Sequence, residues 1–463
     1  MKVMIVGAGK LGYKLAESMV KEEIDVTVID INQKVLDSVN EHLDVLTVLA
    51  NGIEISILKE LNIKSYGLLV AATNSDETNT LICSLAKQLG CYKTIARIRN
   101  PEYMKQLDFI KDKMGIDRII NPDLATAHSM EKYLLKNYNF YSGDFAKGKV
   151  QMIDFNIENM HEFVGKRLME LENFDNLLIT AISRNGLIII PDGSTVLQEK
   201  DIIHVIGKSQ DIIDLNNRFT RDINKRQIKK VMILGGSNIG FYLAKELVKS
   251  NISVTIIEQN KKRCEELAEK LKNVLIIHGD GTDINLLEEE RISSMDAFVG
   301  VTGYDEANLL MSLMAKQMGV AKTISKISRE NYTKIIDRLG IDAALNPIYI
   351  TASNILKFVR GGKIVSVSML IGGNGEVTEI IVGKDLPIVG KSLKELKLPK
   401  GIIIGAQVRE GKVVIPNGDS VLLAGDRIVI FSLTEDLPSL KIFFQTRKGG
   451  LLSELWNRTK GSR

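Results

Sequence analysis

The sequence predicts an α/β protein built from two doubly wound Rossmann-like domains, each followed by a small α+β lobe. Three observations carry this. The chain repeats itself: residues 2 to 30 align without gaps on 230 to 258, Thr73 to Gly90 on Thr302 to Gly319, and Gly115 to Pro122 on Gly340 to Pro347. Within each repeat, short Val- and Ile-rich runs alternate with amphipathic stretches, which implies parallel strands joined by right-handed crossovers. After the alternation come closely spaced strands separated by hairpin signals. A repeat of about 225 residues is far longer than the roughly 20 to 50 of a solenoid, so each copy is expected to fold as its own structure.

In the first copy, strands are expected at KVMIV from Lys2, DVTVID from Asp25, DVLTV from Asp44, YGLLVAA from Tyr66, KTIARI from Lys93 and DRII from Asp117. Lys10 to Lys21 and Asp76 to Leu89 carry helical periodicity between them. Asn121-Pro122 and Asn346-Pro347 each place a capping residue before a proline, which predicts a longer helix after them. The small lobe then reads as strand KVQMIDFNI from Lys149, a short helix VGKRLMEL from Val164, and strand LLITAIS from Leu177. An Arg184-Asn185-Gly186 turn, strand LIII from Leu187, a Pro191-Asp192-Gly193 turn and strand DIIHVIG from Asp201 complete it. The expected limits are 1–140 and 147–215 for the first copy, a polar linker 216–229, 230–361 and 363–445 for the second, and a basic tail 446–463.

Of the residues, 44% are hydrophobic, 25% charged and 5% aromatic, which excludes collagen-like, low-complexity and disordered chains. Net charge is +4, and residues 446–463 hold five cations against Glu454, so the body is neutral and nothing argues for nucleic acid. In that tail Leu451, Leu452, Leu455 and Trp456 fit either a lipid or partner contact or a solvated end after Gly449-Gly450. No apolar run approaches the roughly 18 residues that cross a bilayer, and the four apolar residues before Gly7 are too few for a signal-peptide core. A cytoplasmic location is expected. Cys83, Cys91 and Cys264 lack metal-ligand spacing.

Gly7-Ala8-Gly9-Lys10-Leu11-Gly12 follows a strand and opens a helix. Gly7 suits a tight turn, Gly9 lets backbone N–H groups approach a pyrophosphate, and Gly12 lets helix and strand pack closely. The helix then points its positive end at the anion. Asp30 ends the second strand, where a carboxylate accepts from both ribose hydroxyls and repels a 2′-phosphate, which favours NAD(H) or an adenine nucleotide over NADP. Lys10 is a candidate clamp on a diphosphate or γ-phosphate.

The second copy reads Gly235-Gly236-Ser237-Asn238-Ile239-Gly240, with Glu258 ending its second strand. Ser237 replaces Gly9 and either shortens the approach or adds a donor, so occupation of this crevice stays open. Asn238 replaces Lys10, so only the first turn is expected to offer an ammonium near the phosphates. Asn51 and Asp280 after the third strands, Thr73, Asn74 and Thr302 after the fourth, and Arg97 and Lys326 ending the fifth line the same crevices.

The tandem of GAGKLG, Asp30, ATNSDETN, IARI and an Asn-Pro helix, each copy closing with a VGKRL…PDGS-type lobe, resembles the TrkA family of potassium uptake regulatory subunits, built from two RCK units. The resemblance spans about residues 1 to 445. It implies N-terminal lobes that bind NAD(H) or an adenine nucleotide (ATP or ADP), a homo-tetramer forming a cytoplasmic ring, and control of a potassium-translocating membrane subunit of the TrkH or TrkG kind. The chain would then be peripheral on the inner face of the plasma membrane. The resemblance implies Gly7, Gly9, Gly12, Asp30 and Lys10 as site residues of the first copy, and Leu11, Asn51, Thr73, Asn74 and Arg97 join them by their place in the turn and at the strand ends. In the second copy it implies Gly235, Gly240 and Glu258, and Asp280 joins them by its place after the third strand.

The rival is an NAD-dependent oxidoreductase, which needs a proton-transfer group beside the nicotinamide. His42, His128, His161, His204 and His278 are scattered and none recurs in both copies, so no catalytic residue and no metal site is expected.

Overall fold

The computed structural model describes all residues except 136–142, 173, 175, 185–186, 220–227, 330–331, 333–339, 361–363, 370–374 and 445–463. The Arg184-Asn185-Gly186 turn is described only at Arg184, and the basic tail lies outside the described residues.

β1 (Lys2–Val6), β2 (Asp25–Asp30), β3 (Leu46–Leu49), β4 (Leu68–Ala71), β5 (Thr94–Arg97) and β6 (Arg118–Ile120) form one parallel sheet in the order β3-β2-β1-β4-β5-β6. β1 and β4 are buried almost throughout, as covered central strands with continuous apolar runs must be. Strand order reverses between them, which opens a crevice at their carboxyl ends. β7 (Gly143–Phe145), β8 (Val150–Asn156), β9 (Leu177–Arg184), β10 (Leu187–Ile189) and β11 (Ile202–Lys208) make an antiparallel sheet in the order β10-β9-β11-β8-β7.

The second copy repeats both sheets. β12 (Lys230–Leu234), β13 (Ser253–Glu258), β14 (Val274–His278), β15 (Ala297–Gly300), β16 (Lys322–Lys326) and β17 (Ala343–Leu345) are parallel in the same order. β18 (Ile364–Met369), β19 (Gly375–Ile381), β20 (Ile402–Arg409), β21 (Lys412–Val414) and β22 (Arg427–Leu433) run β18-β19-β22-β20-β21.

Two local expectations change. The helix expected over Val164–Leu171 is replaced by short 3₁₀ turns at His161–Phe163 and Leu168–Glu170. Gly165 sits at φ +79°, and the amides of Gly165, Leu168 and Met169 donate to Leu197, Thr195 and Gly193, so an adjacent segment takes the donors a helix needs. The helix Ser209–Phe219 also runs into the expected linker, because Leu215 and Asn216 are buried and Phe219 packs 5.1 Å from Phe163.

The larger correction concerns the copies themselves, which do not bury their cores separately. The helix after β6, Pro122–Leu135, here the first crossover helix because it passes to the other copy, lays Ala127, Met130, Tyr133 and Leu134 against Ile239, Tyr242 and Leu243 of the second copy. Reciprocally, Ala352, Ile355, Leu356 and Val359 of the second crossover helix, Pro347–Arg360, join Leu15, Ala16 and Met19 of the first. Burying each such large side chain contributes about 1.5–3 kcal/mol, and that cover comes from the other copy. Tyr133 also donates to the Asp342 carbonyl at 2.9 Å, and Asn121 to the Tyr242 hydroxyl at 3.1 Å. The small lobes meet as well, through Val150, Met152, Ala181 and Ile206 against Val377, Ala406, Val429 and Phe431.

Candidate functional site

β1 runs into Gly7 at φ +101°, a left-handed conformation in which a Cβ would stand 2.8 Å from the Thr73 amide. A Cβ on Gly12 would lie 1.9 Å from the Gly7 carbonyl oxygen, so turn and helix touch through hydrogen alone. Gly9 differs: nothing lies within 4 Å of its Cβ position, which opens the turn to solvent. The helix Lys10–Val20 begins there with no side-chain cap and no acid in its first turn. Its free N–H groups and positive end therefore face the opening. Lys10 is exposed at that first position, whereas the Leu11 side chain joins the apolar core and leaves only its backbone to the crevice.

Asp30 is held in place by the turn. One carboxylate oxygen accepts from the Ala8 amide at 2.6 Å and the other from the Asn32 amide at 2.9 Å. Across the crevice, fully buried Asn79 uses all its hydrogen-bonding capacity: its oxygen accepts from the Thr73 amide and hydroxyl, and its nitrogen donates to the Thr73 and Arg97 carbonyls. Arg97 Nη1 donates to the Thr73 carbonyl at 2.9 Å, while its Nε is buried without a partner among the described residues. Burial lowers the pKa of this guanidinium. Asn74 is exposed beside Thr73, and Asn51 is half-buried, accepting from the Ile53 amide. Gly7, Gly12, Asp30, Thr73 and Arg97 are thus linked at one turn, whereas Asn51 bonds within its own loop. Asn79 is the contributor that motif reading missed, although its spacing from Thr73 recurs as Thr302 to Asn308, with the same bonds to Thr302 and Lys326.

The second crevice keeps the frame. Gly235 stands at φ +105°, and a Cβ on Gly240 would be 2.3 Å from the Gly235 oxygen. Glu258 accepts from the Gly236 amide at 2.6 Å and the Asn260 amide at 2.8 Å, as Asp30 does in its copy. Ser237 adopts φ −59°, close to the −61° of Gly9, and its hydroxyl donates to the Val301 carbonyl at 2.9 Å while accepting from the Gly240 amide at 3.4 Å. It is a helix cap folded against the protein. Asp280 is exposed, and hydrogen bonds from the Thr282 amide and hydroxyl lower its pKa. Arg263, from the helix Lys261–Lys270, reaches this turn with its guanidinium, a cation that the comparison of Lys10 with Asn238 does not bring to view.

The crevices adjoin. Buried Asp123, on the first crossover helix, accepts from Arg99 Nε at 2.9 Å and from Asn238 Nδ2 of the second turn at 3.4 Å. Lys326 donates to the Thr302 carbonyl at 2.7 Å; burial lowers its pKa, with Arg99 and Lys10 of the first copy adding repulsion.

The histidines lie elsewhere or at the margin. His204 is buried in the first small lobe between Asp154 at 2.6 Å and Ser183 at 2.9 Å, and its counterpart in the second copy is Val429. His278 is exposed at the end of β14, bonded to the Gln259 carbonyl. His128, Glu131 and Glu246 group at the seam of two helices, where Lys249 already holds both Glu246 oxygens.

The TrkA-N domain family model matches residues 3–122 and 231–347, and the TrkA-C domain model matches 152–220 and 377–445. The chain belongs to the TrkA family. It is 37% identical over 453 residues to Trk system potassium uptake protein TrkA homolog 2 of Methanosarcina mazei, covering 96% of this chain and 100% of that one. It is 34% identical over 455 residues to Trk system potassium uptake protein TrkA of Haemophilus influenzae, covering 96% and 99%. Among solved structures, the GsuK RCK domain aligns at TM-score 0.57 and 17% identity, over 95% of this chain and 94% of that one. The GsuK channel bound to NAD aligns at TM-score 0.56 and 17% identity, covering 96% and 78%. These structural likenesses establish an RCK-type fold for this TrkA-family chain. No helix among the described residues is long and apolar enough to cross a membrane.

Proposed function

We propose that this TrkA-family chain is the cytoplasmic, nucleotide-binding regulatory subunit of a Trk-type potassium uptake system. It gates a TrkH- or TrkG-like membrane subunit as a homo-tetrameric ring and is not itself an enzyme. The units of this device are 1–140, 147–215 prolonged by the helix that ends at Phe219, 230–361 and 363–445, with the rest of the polar stretch to 229 between the copies and the tail 446–463 after them. The ligand is NAD(H), ATP or ADP, held by Gly7, Gly9, Lys10, Leu11, Gly12, Asp30, Asn51, Thr73, Asn74 and Arg97. Gly235, Gly240, Glu258 and Asp280 serve the second crevice.

One observation supports this reading above the others. Around the first turn stand an open space over Gly9, an acid already oriented by the Ala8 amide, and a buried Arg97 Nε with no partner among the described residues. The site thus offers donors to an anion and acceptors to a ribose. The helix leaving the turn carries Leu15, Ala16 and Met19, on which the second crossover helix packs, and Lys14 lies 4.8 Å from the Tyr349 ring. A ligand that prefers one placement of this helix therefore biases the other copy. Each such coupling is worth about 1–3 kcal/mol, and several sites in a ring add.

Calorimetric titration with NADH, NAD, ATP and ADP tests the reading, alongside potassium flux in vesicles carrying the membrane subunit. Asp30→Ala is expected to weaken binding about tenfold or more and to blunt nucleotide control of flux. Absence of heat with all four ligands overturns the proposal. Turnover with NAD reduction by the isolated chain would support the oxidoreductase instead.

A further inference from the structure

The helix Lys10–Val20 joins two distant places: its first turn opens on the first crevice, and two residues past its end Glu22 is buried against Arg360. Its 11 residues span about 16 Å and move as one piece. Arg360 is the last residue of the second crossover helix, and its Nε donates to Glu22 at 2.9 Å while Nη1 and Nη2 donate to Glu376 on β19. The Thr378 hydroxyl donates to Glu376 as well. Side chains alternate along a strand, so Val377 and Glu379 face the other way. Val377 joins the apolar seam between the small lobes, and Glu379 accepts from the Ala146 amide, next to β7 of the first lobe, at 3.1 Å. β19 therefore holds the first Rossmann-like body through Arg360 on one face and meets the first small lobe on the other. At the mirror positions stand Leu135, Ser250 and Gln151, which carry no charge, so no ion pair forms there.

We propose that Glu22, Arg360 and Glu376 report occupancy of the first crevice, and not of the second, to the paired small lobes, with β19 as the receiving strand. This rests on the nucleotide reading of the crevices given above. Apolar packing between two helices is non-directional and tolerates small sliding, which is how packed helices shear. A guanidinium gripped by two carboxylates is directional and fixes Glu22 relative to Glu376. A ligand that restrains the first turn of Lys10–Val20 therefore restrains β19, whereas the equivalent helix of the second copy lacks that fixed link.

The test follows amide hydrogen exchange of the full chain by mass spectrometry, with ADP at a concentration that just saturates the unmodified protein. ADP is expected to slow exchange at the first turn, and to slow it in β19 by about fivefold or more. Asp30→Ala should abolish both effects, and Glu258→Ala, which removes the acid of the second crevice, should keep both. The triple variant Glu22→Ser, Arg360→Leu, Glu376→Gln should retain the effect at the first turn and lose it in β19. If that variant does not fold, the two crevice variants decide, because both leave the clamp intact. A β19 that stays unchanged while the first turn responds overturns this inference and leaves the nucleotide reading standing. A β19 that still responds in Asp30→Ala or in the triple variant does the same, as does loss of the β19 response in Glu258→Ala. No ADP effect at either turn overturns the parent reading and this inference together.

Discussion

Arg360 and Glu22, 338 positions apart, meet in a buried ion pair, with Nε and Nη2 at 2.9 and 2.5 Å from the same carboxylate oxygen. Glu376 on β19 holds the other side of the guanidinium through Nη1 and, at 2.9 Å, Nη2. The three side chains are 10%, 7% and 1% exposed and join the first Rossmann-like body, the second crossover helix and the second small lobe. Their counterparts are Leu135, Ser250 and Gln151, so the clamp exists on one side of the repeat only.

Removing the cation strands two buried carboxylates. Arg360→Met is expected to destabilise by about 3–5 kcal/mol in urea unfolding. The triple variant Glu22→Ser, Arg360→Leu, Glu376→Gln, which copies the other side, should lose clearly less. A single variant within about 0.5 kcal/mol of the parent would show that the clamp is energetically idle.

Gly12→Ala drives a methyl group into the Gly7 oxygen, and either the turn or the helix has to move. Reduced melting temperature and reduced nucleotide binding are expected together. Gly9→Leu fills open space, so it should block binding while melting stays near that of the parent. Gly9→Ser should keep both properties, because Ser237 shows the hydroxyl folding inward from this backbone conformation. Binding retained by the leucine variant would place the ligand elsewhere.

Asn79→Ala leaves the Thr73 amide and the Arg97 carbonyl without their partner. A cost of about 1–3 kcal/mol for each unpaired buried group is expected, with weaker nucleotide binding as Thr73 and Arg97 drift. Asn308→Ala should act on the second crevice alone, read as a change at one of two sites in ligand titration.

Lys322 is 8% exposed; its ammonium donates to the Tyr133 carbonyl at 2.8 Å and lies 4.5 Å from that ring. Burial pushes its pKa down to about 8. Because this is below the unfolded value of about 10.4, the folded chain binds fewer protons between these limits. Its contribution to stability therefore rises from about pH 8 to about pH 10.4 and is absent below pH 8. Lys322→Met should remove that rise, by about 3 kcal/mol, when unfolding is followed against pH. Parallel curves for the two proteins would mean that the ammonium is solvated.

Much of this was legible along the chain. The duplication, the strand alternation and the glycine turns with Asp30 and Glu258 depend on period and on neighbours within a few residues, which local sterics impose. The segment VGKRLMEL has helical periodicity yet forms no α-helix, because the amides of Gly165, Leu168 and Met169 donate to residues 193 to 197. Arg263 and Asn79 carry no local signal for a related reason: each acts on residues outside its own element.

The linear order of residues determined two α/β bodies with paired crevices and lobes of antiparallel strands. Tertiary structure alone decided that the crossover helices exchange between copies, that Arg360 clamps one side and that Arg263 reaches the second turn. An apolar helix face records that it must be covered but not by which sheet; that choice is made by contacts between residues hundreds of positions apart.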